Sequence, residues 1–258
     1  VLKIRDAGIR AAIWFTDDPY YTDVTISLAP HYDYVFTMEQ SCVPLYRSIG
    51  CGGVHHLPFA VNPRVYHPRK VDLSLRSDIC FIGSAFWNRV EFFDRIAPYL
   101  AGKKTLIVGL WWNRLRHYRL LKSKIRLGQW MNPEQTSARY FGAKIVINMH
   151  RSHEDESFNR NSRNIPALSV NPRTFEICGS GAFQLTDVRQ DLERMYTPGR
   201  EVAVYDSAEH LIRQLEYYLN HDEERAAIAV RGLERTLREH TYRHRLSAIF
   251  KVMFGEPS

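Results

Sequence analysis

The sequence predicts an α/β protein with parallel sheets, arranged as two Rossmann-like domains of which the N-terminal one is short or incomplete. Along its 258 residues, short apolar runs alternate with longer amphipathic stretches, as expected for strand–helix–strand crossovers in a parallel sheet. A stretch of mixed charge with two prolines, residues 59–77, separates two such series and is typical of a linker. We therefore expect one domain at residues 1–70 and a second at residues 71–258.

The first series is too short for a whole domain. Strands are expected at residues 11–15, 33–37 and 54–58, with a helix at residues 40–49. A full Rossmann-like domain contains more strands than these three. Since the chain opens with Val rather than Met, we expect either a shortened first domain or one whose beginning is absent from this chain.

The second series predicts a complete doubly wound domain. Its strands are expected at residues 78–82, 105–108, 125–127, 144–149, 182–186 and 201–205. Its helices are expected at residues 88–100, 133–140, 172–178, 208–219, 223–240 and 242–253. Asn-Pro pairs open two of these helices, because asparagine favours the N-cap and proline the first helical turn. The polar stretch 152–171 is long enough for a functional or mobile loop.

Composition excludes several classes of protein. A hydrophobic fraction of 45% with 24% charged residues excludes an intrinsically disordered chain. No apolar run approaches the roughly 20 residues that span a bilayer, and no signal-peptide pattern opens the chain. The four cysteines form no CxxC pair, so neither a metal site nor a redox motif is expected. A reducing, cytoplasmic compartment is therefore the expectation.

The net charge of +7 favours an anionic partner, although an excess of surface Lys and Arg would give the same number. Six basic residues lie within Arg114–Arg126, directly after two tryptophans. This run is expected either to contact an anionic membrane or an acidic acceptor, or to form a solvated helix face. Nucleic acid is not expected as a partner, because no recognised reading module is present.

Candidate ligand-binding residues follow the predicted strands, because ligands of open α/β sheets bind beyond the carboxyl ends of the strands. Gly83 and Ser84 follow the first strand of the second series, and Arg89 lies about one helical turn later. A glycine lets the backbone approach a phosphate, and the next helix offers free N–H groups. The alternative is an ordinary strand-to-helix turn.

Two further segments occupy equivalent positions. Gly128 and Trp130 follow a short strand, where the indole either covers a nucleobase or packs in a core or at a domain interface. His150 and Arg151 follow another strand, and an imidazole and a guanidinium there can bind a diphosphate or a sugar hydroxyl. Solvent-exposed turn residues are the alternative for this pair.

The strongest candidate is the segment that begins at Asn171. Its Asn-Pro start predicts a helix N-terminus whose amides point at an anion, with Thr174 in the first turn. Arg173 adds a forked donor for phosphate oxygens. Glu176 can accept two hydrogen bonds from ribose hydroxyls, as the acid does in dinucleotide sites. A helix-dipole acid beside a surface arginine is the alternative.

Two adjacent carboxylates follow the first strand of the N-terminal series. Asp17 and Asp18 precede a proline. They are candidates for a general base or for binding acceptor hydroxyls. Aspartate and proline are also favoured in turns, so a turn without catalytic function is equally consistent with the pattern.

Several motifs together resemble a known family. NPRTFEICGSGAFQLTD (Asn171–Asp187), VYDSAEHLIRQLEYYL and EHTYRHRL (Glu239–Leu246) are similar to the C-terminal half of CgeB-like, spore-maturation-type proteins of the group 1 glycosyltransferases. WFTDDPYYTD and YDYVFTMEQSCVPLYRSIGCGGVHHLPFAVNPRVYHP are similar to the first domain of the same family. The resemblance covers nearly the whole chain.

The resemblance implies a GT-B fold, with a nucleotide-diphosphate sugar as donor and no other cofactor. Glu176 matches the second acid of the family's paired-acid motif, which holds the ribose, and Leu168 stands where the first acid is expected. Gly83, Ser84 and Arg89 match the phosphate-binding turn. The segment from Gly128 to Trp130 matches the region that lines the base.

The expected function is a glycosyltransferase of cytoplasmic location that moves a sugar from a nucleotide-diphosphate sugar to a glycan, protein or small molecule. We expect the reaction to be metal-independent, and the family type implies a retaining hexosyltransferase. Asp18 or Asp17 is the expected base or acceptor ligand. His150, Asn171 or Arg173 could bind the donor sugar in place of the acid missing at Leu168, or the sugar could be held in another way. The alternative function is a catalytically inactive nucleotide-binding module that acts as a scaffold or regulator.

Overall fold

The computed structural model describes residues 6–255 of the chain, which form two units. Strands in this part of the chain are β1 (Ala12–Phe15), β2 (Tyr34–Thr37), β3 (Gly53–His56), β4 (Ser77–Ile82), β5 (Thr105–Gly109), β6 (Ile125–Leu127), β7 (Ala143–Asn148), β8 (Gln184–Asp187) and β9 (Ala203–Tyr205). Helices are α1 (Thr22–Leu28), α2 (Cys42–Ser48), α3 (Trp87–Ala101), α4 (Tyr118–Leu121), α5 (Pro133–Gly142), α6 (Pro172–Gly179), α7 (Leu192–Met195), α8 (Ala208–Asn220), α9 (Asp222–Glu239) and α10 (Tyr242–Phe254).

The N-terminal unit contains residues 6–59, 152–170 and 242–255. Its parallel sheet has the order β1-β2-β3, and Tyr34 lies opposite both Ala12 and Gly53. Its core is built from buried apolar side chains on these strands and on α2, namely Phe15, Val35, Cys42, Tyr46 and Val54.

Two later segments join this unit, which differs from the division expected at residue 70. Glu39 explains the first, because its carboxylate accepts hydrogen bonds from the amides of Leu168 (3.0 Å) and Ser169 (2.9 Å). Arg245 on α10 explains the second, because its Nε donates to the Pro58 carbonyl at 2.8 Å. Polar contacts between residues this far apart in the chain leave no pattern in local composition.

The second unit contains residues 60–151 and 171–241. Its six parallel strands have the order β6-β5-β4-β7-β8-β9, which is the doubly wound order with its switch point between β4 and β7. Alternate residues of β4 face opposite layers. Ile79 and Phe81 pack in the larger core, which includes α3 and α8 residues. Cys80 packs in a smaller core with Tyr140 of α5 and Ile177 of α6.

The α/β class with a short first sheet and a fuller second sheet is confirmed. The expected strands and the longer helices lie within about two residues of their predicted bounds, as is usual for element ends. Three short helices, α1, α4 and α7, had no predicted bounds, because each has too few residues to show a helical period. Of the run Arg114–Arg126, only the four residues of α4 form an α-helix. Within residues 6–255, no helix is both long and apolar enough to cross a membrane.

Candidate functional site

The glycine turn, Gly83–Ala85, lies at the carboxyl end of β4 and leads into α3. A Cβ atom built on Gly83 would lie 3.2 Å from Nη1 of Arg89 and 3.2 Å from Nη2 of Arg173. Two guanidinium groups therefore converge on one glycine. Like charges at close range repel each other, so a negative charge near Gly83 would stabilise this arrangement.

A second glycine explains how the glycine turn is held. Gly109, the last residue of β5, has φ of +144°, and a Cβ there would lie 2.3 Å from the Gly83 carbonyl oxygen. The same oxygen accepts a hydrogen bond of 2.8 Å from Nε1 of Trp112. The sequence analysis missed both residues, since their roles depend on the approach of two chain segments. A glycine that ends an apolar strand was the one available signal.

Arg89 supports the glycine turn from below the surface. Its side chain is buried, with 2% of the residue exposed. Its guanidinium donates to the carbonyls of Ser84 (2.9 Å) and Met149 (2.7 Å) and lies over the Phe86 ring at 5.3 Å. Arg89 thus ties the end of β4 to the end of β7 and adds positive charge beneath Gly83.

The N-terminus of α6 is the second element of the site. Asn171 caps it, because the side-chain oxygen accepts a hydrogen bond from the Thr174 amide at 3.2 Å. A helix N-terminus carries unsatisfied N–H groups and a partial positive charge. Arg173 projects from this first turn to Gly83, so the helix end and the glycine turn lie side by side. Anion binding by the two segments stays a prediction.

A buried amide network fixes this helix end to the sheet. The Nδ2 of Asn148, the last residue of β7, has three acceptors within hydrogen-bond distance for its two N–H groups: Oδ1 of Asn171 (3.2 Å), Oγ1 of Thr174 (3.1 Å) and Oε1 of Gln184 (2.9 Å). Asn171 returns a hydrogen bond to Oδ1 of Asn148 at 2.8 Å. Asn171 and Thr174 therefore act in the structure as parts of this network, with their polar side-chain atoms directed at other residues.

Glu176 lies within α6, near Arg173 and Tyr66. Burial raises the pKa of its carboxyl, against the Arg173 charge and a Tyr66 hydrogen bond that lower it. Tyr66 belongs to the stretch that the sequence analysis assigned to a linker, and nothing in that stretch marked it as a neighbour of the site. Leu168, where the first acid of the paired-acid motif was expected, uses its amide to bind Glu39.

His150 is buried, with 2% of the residue exposed, and both ring nitrogens have partners. The Asn171 amide donates to Nε2 at 2.9 Å, so Nε2 carries no proton. The proton therefore lies on Nδ1 and is shared with Oδ1 of Asp187 at 2.5 Å. This geometry makes His150 a fixed support for Asn171. Whether it also contacts a sugar stays a prediction.

The other predicted residues at this edge differ in exposure. Arg151 stacks over the Phe86 ring at 4.2 Å, next to the glycine turn. Trp130 is 80% exposed and follows Gly128, which has φ of +70°. An exposed indole beyond β6 suits a planar ligand better than a core role, so the core alternative is excluded for this tryptophan. The base-lining role stays a prediction.

Asp17 and Asp18 have opposite environments in the N-terminal unit. Asp17 is exposed, whereas Asp18 is 1% exposed. The Asp18 carboxylate accepts hydrogen bonds from Thr37 (2.6 Å) and Tyr46 (2.8 Å). Burial raises its pKa, and these hydroxyl groups oppose the increase. The contacts suit a structural carboxylate, and a catalytic role for either aspartate stays a prediction.

Comparison with known families decides the class of protein. Residues 89–251 match the family described as glycosyl transferase-like. The chain belongs to this glycosyltransferase family. It is also 29% identical to the spore protein CgeB of Bacillus subtilis (strain 168) over 243 residues, which cover 93% of this chain and 74% of CgeB. The expected resemblance to CgeB-like proteins of the group 1 glycosyltransferases is thereby confirmed.

Solved glycosyltransferase structures share the fold. Anabaena HepE in complex with UDP-glucose aligns with a TM-score of 0.67 at 10% identity, over 98% of this chain and 74% of HepE. Sucrose-phosphate synthase from Thermosynechococcus elongatus aligns with a TM-score of 0.62 at 12% identity, over 90% of this chain. The chain spans 61% of that synthase. At these identities the likeness shows the fold, which is GT-B-like as expected.

Replacing Gly109 by alanine is expected to lower the free energy of unfolding by about 2–4 kcal/mol, because the new Cβ would press on the Gly83 carbonyl at a strained φ. Urea unfolding followed by circular dichroism measures this change. Gly102→Ala is the matched control, because its nearest contact would be 3.7 Å. Equal stability of the two variants would show that the close approach of β5 to the glycine turn is not required.

Asp18→Ala is expected to lower the free energy of unfolding by about 2–4 kcal/mol, because two buried hydroxyl groups lose a charged acceptor. The neighbouring Asp17→Ala is expected to change it by less than about 0.5 kcal/mol, because that side chain is exposed. Thermal and urea unfolding of the pair provide the measurement. A large loss for Asp17→Ala, or none for Asp18→Ala, contradicts the assignment of Asp18 as the structural carboxylate.

Proposed function

We propose that the second unit binds a nucleotide-diphosphate sugar at the glycine turn and the N-terminus of α6, and that the protein transfers this sugar to an acceptor. The observation that carries the proposal is the convergence of Arg89 and Arg173 on Gly83. A diphosphate has the charge and the oxygen geometry that paired guanidinium groups and helix amides bind. The glycosyltransferase family supplies the reaction class.

The proposed leaving group is the nucleoside diphosphate. Negative charge that develops on it when the glycosidic bond breaks would be stabilised by Arg173 directly, by the α6 amides, and by Arg89 through the field of its buried charge. We propose that these fixed positive groups make the transfer metal-independent. Retention at the anomeric carbon and a hexose donor remain the expectations for this family type.

The remaining contacts of the donor follow from the positions of the side chains. Glu176 would accept hydrogen bonds from the ribose hydroxyls, and Trp130 would stack on the base. Arg151 and Ser84 would lie beside the diphosphate. Asp17, which is exposed, is better placed than Asp18 to meet an acceptor hydroxyl. Solved complexes of Anabaena HepE contain UDP and UDP-glucose, so UDP is the first probe to use.

A nucleotide-binding module without transferase activity is the second candidate function. Two observations favour it, the leucine at position 168 and the buried carboxylate of Asp18. Release of sugar from UDP-glucose or another sugar nucleotide, with or without acceptor, separates the two functions. Tight nucleotide binding without any release would support the module. The name of CgeB leads us to propose a role in spore maturation for either function. The buried free cysteines lead us to propose a reducing, cytoplasmic location.

Arg173→Gln is expected to raise the Kd for UDP about 10- to 100-fold, because it removes a charge-assisted contact worth roughly 1.5–3 kcal/mol. Glu176→Gln is expected to raise the Kd for UDP about tenfold, because it weakens the hydrogen bonds to the ribose hydroxyls. Isothermal titration at fixed salt measures both. Arg213→Gln and Glu209→Gln, exposed positions on α8, are the controls and should leave the Kd unchanged.

The pattern across ligands tests the assignments separately. Arg173→Gln should raise the Kd values for pyrophosphate and UDP by similar factors, because both ligands contain the diphosphate. Glu176→Gln should leave pyrophosphate unchanged, because that ligand has no ribose. A wild-type protein that binds no UDP, ADP, GDP or dTDP at millimolar concentration would contradict the proposed donor site.

We also propose peripheral contact of the second unit with an anionic membrane surface. Residues 95–133 contain nine of the 35 basic residues and none of the 28 acidic ones, so this segment accounts for the whole positive charge. Arg119 and Arg126 are exposed, as are Leu120 and Leu127 beside them. Apolar and basic side chains together favour a lipid surface over a soluble polyanion.

Neutralising Arg119 and Arg126 together, as Arg→Gln, is expected to lower binding to phosphatidylglycerol vesicles about tenfold or more, at about 1 kcal/mol for each charge near the surface. Sedimentation with vesicles at low salt measures binding. Arg200→Gln with Arg213→Gln is the matched control, since both side chains are exposed in the same unit. Wild-type protein that stays in the supernatant, or that binds heparin but not vesicles, contradicts the proposal.

A further inference from the structure

His150 holds the N-terminus of α6 in addition to the Asn148 network, through a contact with the backbone of the capping residue Asn171. Nε2 accepts the Asn171 amide at 2.9 Å, and Nδ1 donates to Asp187 at 2.5 Å. Asp187 also accepts the His150 backbone amide at 3.1 Å. The imidazole therefore connects the end of β8 to Asn171, the residue that caps α6.

We propose that His150 is a positioning residue: it holds the Asn171 amide with an unprotonated Nε2 and so fixes the anion-binding end of α6, which protonation of the ring releases. Protonated Nε2 would be a second donor facing the Asn171 N–H, and two donors cannot share a hydrogen bond. The consequence for ligands rests on the proposed function, because it assumes that a diphosphate binds at this helix end.

The charges around the ring decide how it titrates. Burial lowers the pKa of His150, the Asp187 carboxylate raises it, and the charges of Arg189 and Arg173 lower it further. On α3, Asn88 contacts the His150 carbonyl and not the ring. Because the folded-state pKa lies below the ordinary value, the neutral ring and its stabilising contact persist at neutral pH. The ring and its contact with Asn171 stay intact until the pH falls through the folded-state pKa, whereas the stability that the neutral ring contributes declines from the unfolded-state pKa downward.

Two substitutions separate the contacts of the ring. The His150→Gln side chain can place an acceptor near the position of Nε2, whereas His150→Asn can place a donor near Nδ1 but cannot reach Asn171. Asp187→Asn is an independent variant, because its amide can donate to Nδ1 and thereby move the ring proton to Nε2. A purely structural role for His150 predicts equal effects of the glutamine and asparagine variants.

The test combines UDP titration with hydrogen exchange of the amides at residues 171–176. His150→Asn and Asp187→Asn are expected to raise the UDP Kd about tenfold and to speed exchange at this helix end, and His150→Gln to stay within about threefold of wild type. Wild-type affinity should fall relative to His150→Gln only when the pH is well below 6.5, the ordinary histidine pKa, because burial lowers the pKa of this ring. Equal Kd values and equal exchange in the two His150 variants would overturn the proposal.

Hydrogen exchange keeps this result distinct from the donor-site proposal. If wild-type protein binds no nucleotide, the donor site fails, while faster exchange in His150→Asn than in His150→Gln still supports the positioning role. If a variant does not fold, the pH dependence of hydrogen exchange in the wild-type protein tests the proposal. Its protection at residues 171–176, corrected for intrinsic exchange, should decrease as the ring protonates, and protection that does not change with pH contradicts the proposal.

Discussion

The hydrogen bonds that Asn148 makes at the end of β7 are the interaction on which the site depends. One side-chain amide binds the capping residue of α6, the first-turn threonine and the glutamine of β8. Buried polar groups are costly unless every partner is present. The network is therefore satisfied by one placement of α6 on the sheet, and a shifted helix would leave several amide groups unpaired.

This placement of α6 brings its N-terminus next to the glycine turn, although the two segments lie far apart in the sequence. The N-terminus of α6 carries Arg173. On the opposite side, the close approach of Gly109 to Gly83 fixes the position of the glycine turn. Neither feature alone distinguishes an anion site from an ordinary turn. Together they lie at the switch point between β4 and β7, where doubly wound sheets leave a crevice. The fold thus supplies the location, and the side chains supply the charge.

The sequence was sufficient for the strands and for α6, because apolar runs and an Asn-Pro cap are local signals. It was insufficient for Gly109, Trp112 and Tyr66, whose roles arise only when distant segments meet. The sequence also could not distinguish a polar side chain that faces a ligand from one that is buried against other residues. His150 and Asp18 follow strands as site residues do, but the structure directs their polar atoms at other parts of the protein, and only tertiary contacts separate these cases.

Stability and binding oppose each other at the glycine turn. Arg89 is desolvated, and a second guanidinium approaches the same glycine, although burial of charge and proximity of like charges both disfavour the folded state. Glu176 offsets part of this cost through Arg173. A diphosphate would offset more, since a ligand that binds only the folded state stabilises it. The well-satisfied amide network beside the turn explains how the fold tolerates this arrangement before a ligand arrives.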